Sequence, residues 1–477
     1  MKKGQDGLFL KRDCVWNTLN DKERIDLEGL SKKYRKFIDS AKTEREVVGL
    51  VELMARENGF VPLDDVEGEI SSPADITGKK IYVKNKGKNL VLFVMGRRPL
   101  SEGFRMVGSH IDSPRLDLKP NPIIEKEKFT LLKTHYYGGI KKYHFANIPL
   151  ALHGVLFKKD GSKLEISIGD DQEDPVFTVN DLLIHLSKNE QYNRKTPDVI
   201  KGEELNILFS SIPDIDEGEG KRVKLAALKL LNEKYGITEE DFVSAEIEAV
   251  PAGRSRDVGI DKSMIGAYAQ DDRICAFSSI ESLFNIGVPE YTCIAFLADK
   301  EETHSEGNTA MQSNFFPWVL SRVVALQEEF NNLKLMNALM MGKALSSDVS
   351  ASVNPNFPKV HELNNAPRMG YGIVIQKYTG TRGKYEANDA NAEFISEVRN
   401  IFNENGIIWQ AAELGKVDEG GGGTIAKYMA RLGMEVVDVG PSLLSMHSSF
   451  EVASKADLWM TVKAYDAFFK SIAKSSS

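Results

Sequence analysis

The sequence predicts an α/β layer fold with a largely parallel central sheet, interrupted by an inserted β-rich segment. Three observations predict it. Apolar runs alternate with amphipathic helical stretches toward both ends of the chain. The longest runs, "NLVLFVMG" and "YTCIAFLAD", are nearly continuous, as expected for strands covered on both faces. Between Leu116 and about Val250 the alternation stops and shorter β-type runs replace it.

In chain order, "KERIDLEGLSKKYRKFIDSAKTEREVVGLVELMARENGF" carries apolar residues at three- and four-residue spacing and predicts helix. "KKIYVKN", "NLVLFVMG" and "FRMVGS" follow as strands. The middle segment holds "KFTLLKTHYYGG" and "HGVLFKKDGSKLEISIG" as β-type runs, the loop-like "KNEQYNRKTPDVIKGEELN" and a charged helix, "EGKRVKLAALKLLNEKYG". After Ile260, strand–helix pairs return: "YTCIAFLAD" with "FFPWVLSRVVALQEEF", "YGIVIQKY" with "NAEFISEVRNIF", and "GMEVVDVG" with "KADLWMTVKAYDAFFKSIAK". A chain of 477 residues is long for one domain. The expected division is a discontinuous main domain, 1–114 with 257–477, and an insertion, 115–256. The only low-complexity segment is the Ser-rich tail at Ser475.

Composition narrows the function classes. The chain is 42% hydrophobic and 27% charged, as for a globular protein, and its net charge of -8 leaves no basic excess for phosphates, so no nucleic-acid partner is expected. Cys14, Cys275 and Cys293 lack the spacing of a disulfide framework or zinc knuckle, and the last two read as buried thiols. "MKKGQDGLFL" has no apolar stretch of the signal-peptide kind, and no run approaches the roughly 18 apolar residues of a membrane span. No membrane association and a cytoplasmic location are expected.

Chemistry-bearing residues collect where apolar runs end, the place where open α/β sheets put their functional groups. "FRMVGSHIDSP" ends at His110, "LADKEE" at Glu301 and Glu302, "MGKALSSD" at Asp348, and "VVDVGPSLLSMHSS" leads to His447. "YAQDDR" sets Asp271 and Asp272 before a helix. Singly each has an ordinary explanation. Asp-Asp before a helix caps it, Glu-Glu at a strand end is solvated surface, and Asp348 makes an Asx turn. As a set, two His and several carboxylates suit a pair of zinc-like divalent ions. One of two adjacent Glu can face a metal while the other takes the proton of an activated water. Asp112 can accept the second ring N–H of His110 and fix its tautomer.

"GSHIDSPRLDLKP", "AQDDR", "DKEETHSEG", "SSDVSASVNPNFPKVHE", "GGGGTIA" and "VDVGPSLLSMHSSFE" have the order and spacing of the M18 metallo-aminopeptidases, of the aspartyl aminopeptidase and vacuolar aminopeptidase I type. The chain resembles that family from about Leu90 to Trp459. The resemblance implies a zinc-exopeptidase-like three-layer domain interrupted by a dimerisation domain, with "YYGGIKKYHFANIPLALHGVLF" near its start and "LLIHLSKN" as a later helix. It implies His110, Asp271 and Asp348 on one metal, with Asp271 bridging to a second held by Glu302 and His447. It further implies Glu301 as general base, Asp112 orienting His110, and His185 reaching a neighbouring subunit's site. Two divalent ions per subunit follow, zinc first, with cobalt or manganese as alternatives. So does a tetrahedral dodecamer built from dimers. The sequence departs from the family pattern at Ala351 and Asn354, where two His are usual. It departs again at Gln376, where aspartyl members carry Lys, so a preference for acidic N-terminal residues is not implied.

The expected function is removal of the N-terminal residue from peptides with a free N-terminus. The rival readings are a related two-metal deacylase or carboxypeptidase, and a catalytically silent self-assembling scaffold or cargo protein. Gly420 to Gly423 are expected to form a close-packed turn at the substrate site, since no Walker or dinucleotide pattern surrounds them. The four Trp are expected in the core.

Overall fold

A computed structural model describes residues 8, 10, 13–68, 70, 72–215 and 220–472. Most of "MKKGQDGLFL" and the tail at Ser475 lie outside the described residues. A nine-stranded mixed sheet runs in the order Val61–Pro62, Lys80–Asn85, Asn89–Val94, Thr292–Ala298, Phe104–His110, Lys343–Ser346, Glu435–Gly440, Ile373–Gln376, Trp409–Ala411. From Thr292–Ala298 to Glu435–Gly440 the neighbours are parallel, so their C-terminal ends share one edge.

The continuous apolar runs are explained by burial on both faces. In Asn89–Val94, Leu90, Leu92 and Val94 enter one core, while Val91 and Phe93 enter the other. In Thr292–Ala298, Cys293, Ala295 and Leu297 face the first core, and Ile294, Phe296 and Ala298 the second. Helices Asp21–Ser40, Glu44–Glu57, Gln270–Phe284, Ala392–Glu404 and Lys455–Phe469 cover one face. Phe315–Gln327, Asn332–Met341 and Ala426–Arg431 cover the other, which makes three layers. Cys275 and Cys293 are buried free thiols, as expected.

Residues between the main-sheet strands Phe104–His110 and Thr292–Ala298 build a six-stranded antiparallel sheet. Its order is Lys163–Ile168, Leu150–Phe157, Glu246–Pro251, Arg115–Lys126, Phe129–Tyr137, Ile207–Ser210. It has its own core around Leu116, Leu132, Phe145 and Ile247. Charged groups join it to the main body. Arg115 lies 3.3 Å from Glu44 and 3.1 Å from Glu248, all buried. His153 Nδ1 lies 2.8 Å from Glu46 Oε1 and its Nε2 lies 3.1 Å from Asp170. Glu46 also closes the capping box of helix Glu44–Glu57 with Thr43.

Three features differ from expectation. "LLIHLSKN" forms only a 3-10 turn, Ile184–Leu186, in which no residue is buried, so packing adds nothing to extend it. Trp318 is 51% exposed, its ring lying 4.9 Å from the Arg322 guanidinium, rather than in the core. A third, five-stranded sheet of short strands, Arg256–Val258, Met264–Ala267, Glu451–Ser454, Ser442–Leu444 and Ser350–Ala351, lies beside the edge where the parallel strands end.

Candidate metal centre

The parallel strand ends bring His110, Glu301, Glu302, Asp348 and His447 around one pocket, with Asp271 among them. His110 is the last residue of its strand and is buried. The strand Thr292–Ala298 runs into a 3-10 turn, Glu301–Thr303, entered through Lys300 in the left-handed region (φ 65°). The turn separates the two neighbouring carboxylates: the Glu302 side chain is 4% exposed and that of Glu301 17%. Asp348 follows the strand Lys343–Ser346. A Cβ on Gly440 would lie 2.1 Å from the Asp348 carbonyl oxygen, so glycine is required for this close approach.

Asp271 lies between the two imidazoles. Its Oδ1 is 3.2 Å from His110 Nε2 and its Oδ2 is 3.1 Å from His447 Nε2. Glu302 Oε1 lies 3.5 Å from His447 Nε2, and Asp348 Oδ1 and Glu301 Oε2 each lie 4.0 Å from His110 Nε2. Asp271 and Asp272 have non-helical backbone angles at the head of helix Gln270–Phe284, and the peptide between them is cis. Asp272 turns away from His447: its Oδ2 accepts the backbone N–H of His110 at 3.3 Å.

Hydrogen bonds fix this arrangement. The Asp112 carbonyl is 3.0 Å from His110 Nδ1, and the Asp112 carboxylate is 3.4 Å away. Both can only accept, so Nδ1 carries a proton and Nε2 is the ring nitrogen turned toward Asp271. Glu451, buried at the start of the strand Glu451–Ser454, accepts the backbone N–H groups of Asp271 (3.0 Å) and His447 (2.7 Å). Glu451, Tyr137 and Gly139 belong to the site and were not singled out from the sequence. Their hydrogen bonds cross long stretches of chain and leave no local pattern.

The electrostatics are those of a cation site. Among the described residues, no Lys or Arg forms an ion pair with Asp271, Asp272, Glu301, Glu302 or Asp348. Burial pushes Glu301 up to about 7 and Glu302 and Asp348 well above the carboxylate range, with neighbouring carboxylates adding to the rise. Burial opposes ionisation of Asp271 too, but hydrogen bonds from both His hold it below the usual range. Burial disfavours the charged form of His447, yet Glu302 and Asp271 raise it to about 11. Glu302 Oε1 and Asp272 Oδ1 are buried without a hydrogen-bond partner. Orphaned buried carboxylate oxygens beside two imidazoles whose Nε2 atoms face them suit a zinc-like ion, which would take the place of the Nε2 protons. Ligand atoms of His110, Asp271 and Glu302 lie within 4.8 Å of one another, as do those of His110, Asp272 and Asp348.

His185 is not brought to this pocket. It lies on the exposed turn Ile184–Leu186 among the exposed Leu182, Leu183 and Leu186. Gly421 to Gly423 and Thr424 line the pocket ahead of helix Ala426–Arg431, where the close-packed turn was expected. Among the described residues no helix is long and apolar enough to cross a membrane.

A sheet of this topology, gathering imidazoles and buried carboxylates at its parallel strand ends, defines an α/β metal-dependent hydrolase. The family model "Aminopeptidase I zinc metalloprotease (M18)" matches residues 37–469. The chain belongs to this M18 family and is a metallo-aminopeptidase. A curated relative from Clostridium acetobutylicum, "Probable M18 family aminopeptidase 1", is 48% identical over 456 residues, covering 95% of this chain and 97% of the relative. The crystal structure of an M18 aminopeptidase from Thermotoga maritima is 48% identical and covers 97% of this chain and 100% of its own, with a TM-score of 0.92. The S. cerevisiae mApe1 dodecamer, 21% identical over 94% of this chain and 97% of its own, shares the fold with a TM-score of 0.72.

Proposed function

We propose that the chain is a two-metal aminopeptidase in which Glu301 is the general base and Asp271 the bridging ligand. The observation that carries this reading is the Asp271 carboxylate, with one oxygen 3.2 Å from His110 Nε2 and the other 3.1 Å from His447 Nε2. His110, Asp348 and Asp271 Oδ1 would hold one divalent ion, and Asp271 Oδ2, Glu302 and His447 the other. Zinc is the first choice, with cobalt or manganese as alternatives. Bound ions supply Lewis acidity toward the scissile carbonyl, a docking point for a free α-amino group and a water of lowered pKa.

The remaining work falls to side chains. Glu301 lines the pocket and is more open than Glu302, so its carboxylate is free to take a proton from water and return it to the leaving amine. Asp112 accepts the backbone N–H of Glu301 at 3.1 Å and of Glu302 at 3.2 Å, which holds base and ligand in a fixed relation. The pocket, ≈ 360 Å³, is of the size of small-ligand sites and has room for the N-terminal end of a peptide. Among the described residues Lys427 is the one Lys or Arg that lines the pocket, and it lies 3.6 Å from Glu386, which favours neutral over acidic N-terminal residues.

Residues 115–256 are read as the dimerisation and lid domain. The exposed Leu182, Leu183, Ile184 and Leu186 around His185 would then dock against a neighbouring subunit, with His185 reaching that subunit's site. A homo-oligomer follows, and a tetrahedral dodecamer built from dimers and a cytoplasmic location belong to the same reading. The test compares free and N-acetylated peptides while metal per chain is measured. Cleavage of only the free peptides, with two ions per chain, supports the reading. Equal cleavage of blocked peptides points to a deacylase or carboxypeptidase, and an inert chain without metal to a silent scaffold.

A further inference from the structure

We infer that the inserted sheet builds part of its own subunit's reaction centre, with Tyr137 and Gly139 as positioning residues, Tyr137 holding Asp112 and Gly139 holding His447. The inference rests on the two-metal reading above.

Asp112 is the hub of the arrangement. Its carboxylate is fully buried and takes the Glu301 N–H on Oδ1 and the Glu302 N–H on Oδ2. The shortest of its side-chain hydrogen bonds comes from outside the main body: the Tyr137 hydroxyl donates to Oδ2 at 2.7 Å. A buried carboxylate that loses one donor turns to find another. Turning Asp112 would move the turn carrying Glu301 and Glu302 and loosen its contact with the His110 ring.

The Tyr137 ring is fixed before any ligand arrives. Arg115 and Tyr137 face each other directly across the ladder of Arg115–Lys126 and Phe129–Tyr137, which sets their side chains on one face. The Arg115 guanidinium lies 4.0 Å from the ring centroid. Arg115 is held in turn by Glu44, Asp117 and Glu248 at 3.3, 2.8 and 3.1 Å. The ion cluster that joins the two sheets therefore also aims the hydroxyl at Asp112.

The next two residues complete the contact. Gly138 has φ 74°, and a Cβ there would lie 3.2 Å from Glu302 Oε2 and 3.3 Å from Pro114 Cγ. Glycine is what lets the chain pass this close to Glu302. The Gly139 carbonyl lies 2.9 Å from His447 Nδ1. A carbonyl only accepts, so His447 carries its proton on Nδ1 and turns Nε2 toward Asp271 and Glu302. Both imidazoles thus keep a proton on Nδ1 and turn Nε2 inward, one held by Asp112 and the other by the inserted segment.

The test uses the full chain carrying Tyr137→Phe, which removes the hydroxyl and keeps the ring under Arg115. Tyr136→Phe, on the opposite face of the same strand, is the control. Zinc affinity is read by competition with a chromophoric chelator, beside kcat, KM and the Tm of the metal-free chain. Tyr137→Phe should weaken zinc binding about 10- to 100-fold and lower kcat to a similar degree, with KM within about twofold. The metal-free Tm should stay within about 2 °C of wild type, and Tyr136→Phe should change none of these. In a double-mutant cycle with Asp112→Asn, the two losses should be less than additive. Wild-type zinc affinity and kcat in Tyr137→Phe would overturn the inference, as would a zinc loss matched by a fall in metal-free Tm. Wild-type protein that takes up no zinc would instead overturn the two-metal reading and the inference with it.

Discussion

Glu301→Gln isolates the proton transfer from metal binding. The substitution keeps the volume and the backbone N–H that donates to Asp112 at 3.1 Å, so Glu302 beside it keeps its own hydrogen bond to Asp112 at 3.2 Å. Glu301 stands 4.0 Å from His110 Nε2, farther than Asp271 at 3.2 Å, and its role in the proposal is to accept a proton rather than hold an ion. The amide cannot accept that proton. General-base catalysis contributes about 10²–10⁴-fold, so kcat should fall by that factor, equivalent to roughly 3–5 kcal/mol in barrier. Elemental analysis of the purified variant should find metal content near wild type. Turnover on free peptide amides is the assay. Activity within about tenfold of wild type, about 1.4 kcal/mol, would refute the general-base assignment.

Glu302→Gln and Asp271→Asn should each lose metal as well as activity. Asp271→Asn should lose more because its carboxylate faces both His, which elemental analysis of the two variants checks. His153, raised by Asp170 and Glu46 against the opposing effect of burial to about 9 from 6.5, should stabilise the junction between the sheets. A raised folded-state pKa contributes fully below pH 6.5 and is lost as pH rises through about 9, an effect of about 3 kcal/mol. Denaturant unfolding should therefore show a smaller loss of stability between pH 6 and 9.5 in His153→Gln than in wild type, and equal losses would refute the assignment. Mixing His185→Ala with Glu301→Gln should regenerate activity if His185 serves a neighbour's site, and none if it serves its own.

Most of the residues that the pocket brings together were legible because they stand where an apolar run meets a polar loop, as at "CIAFLA" before Glu301 and Glu302. The main sheet was legible for the same reason, since burial on both faces writes runs such as "NLVLFV" into the chain. The five-stranded sheet was not, because strands such as Ser350–Ala351 and Ser442–Leu444 are too short to show a period. Asp112 beside His110 was legible from its two-residue spacing, but Gly139 and Glu451 were hidden by distance along the chain. Gly139 reaches His447 across 308 positions and Asp271 reaches Glu451 across 180, and neither pair has a local signature. The "LLIHLSKN" helix failed because the apolar residues of Ile184–Leu186 are exposed, so packing adds nothing to extend the turn.

The most direct test of the two-metal reading is anomalous diffraction at the zinc edge from crystals of the zinc-loaded chain. Two peaks per chain are expected, one beside His110 and Asp348, the other beside Glu302 and His447, with the Asp271 carboxylate between them. A single peak, or two peaks bridged by Asp272 while Asp271 contacts neither, would contradict it.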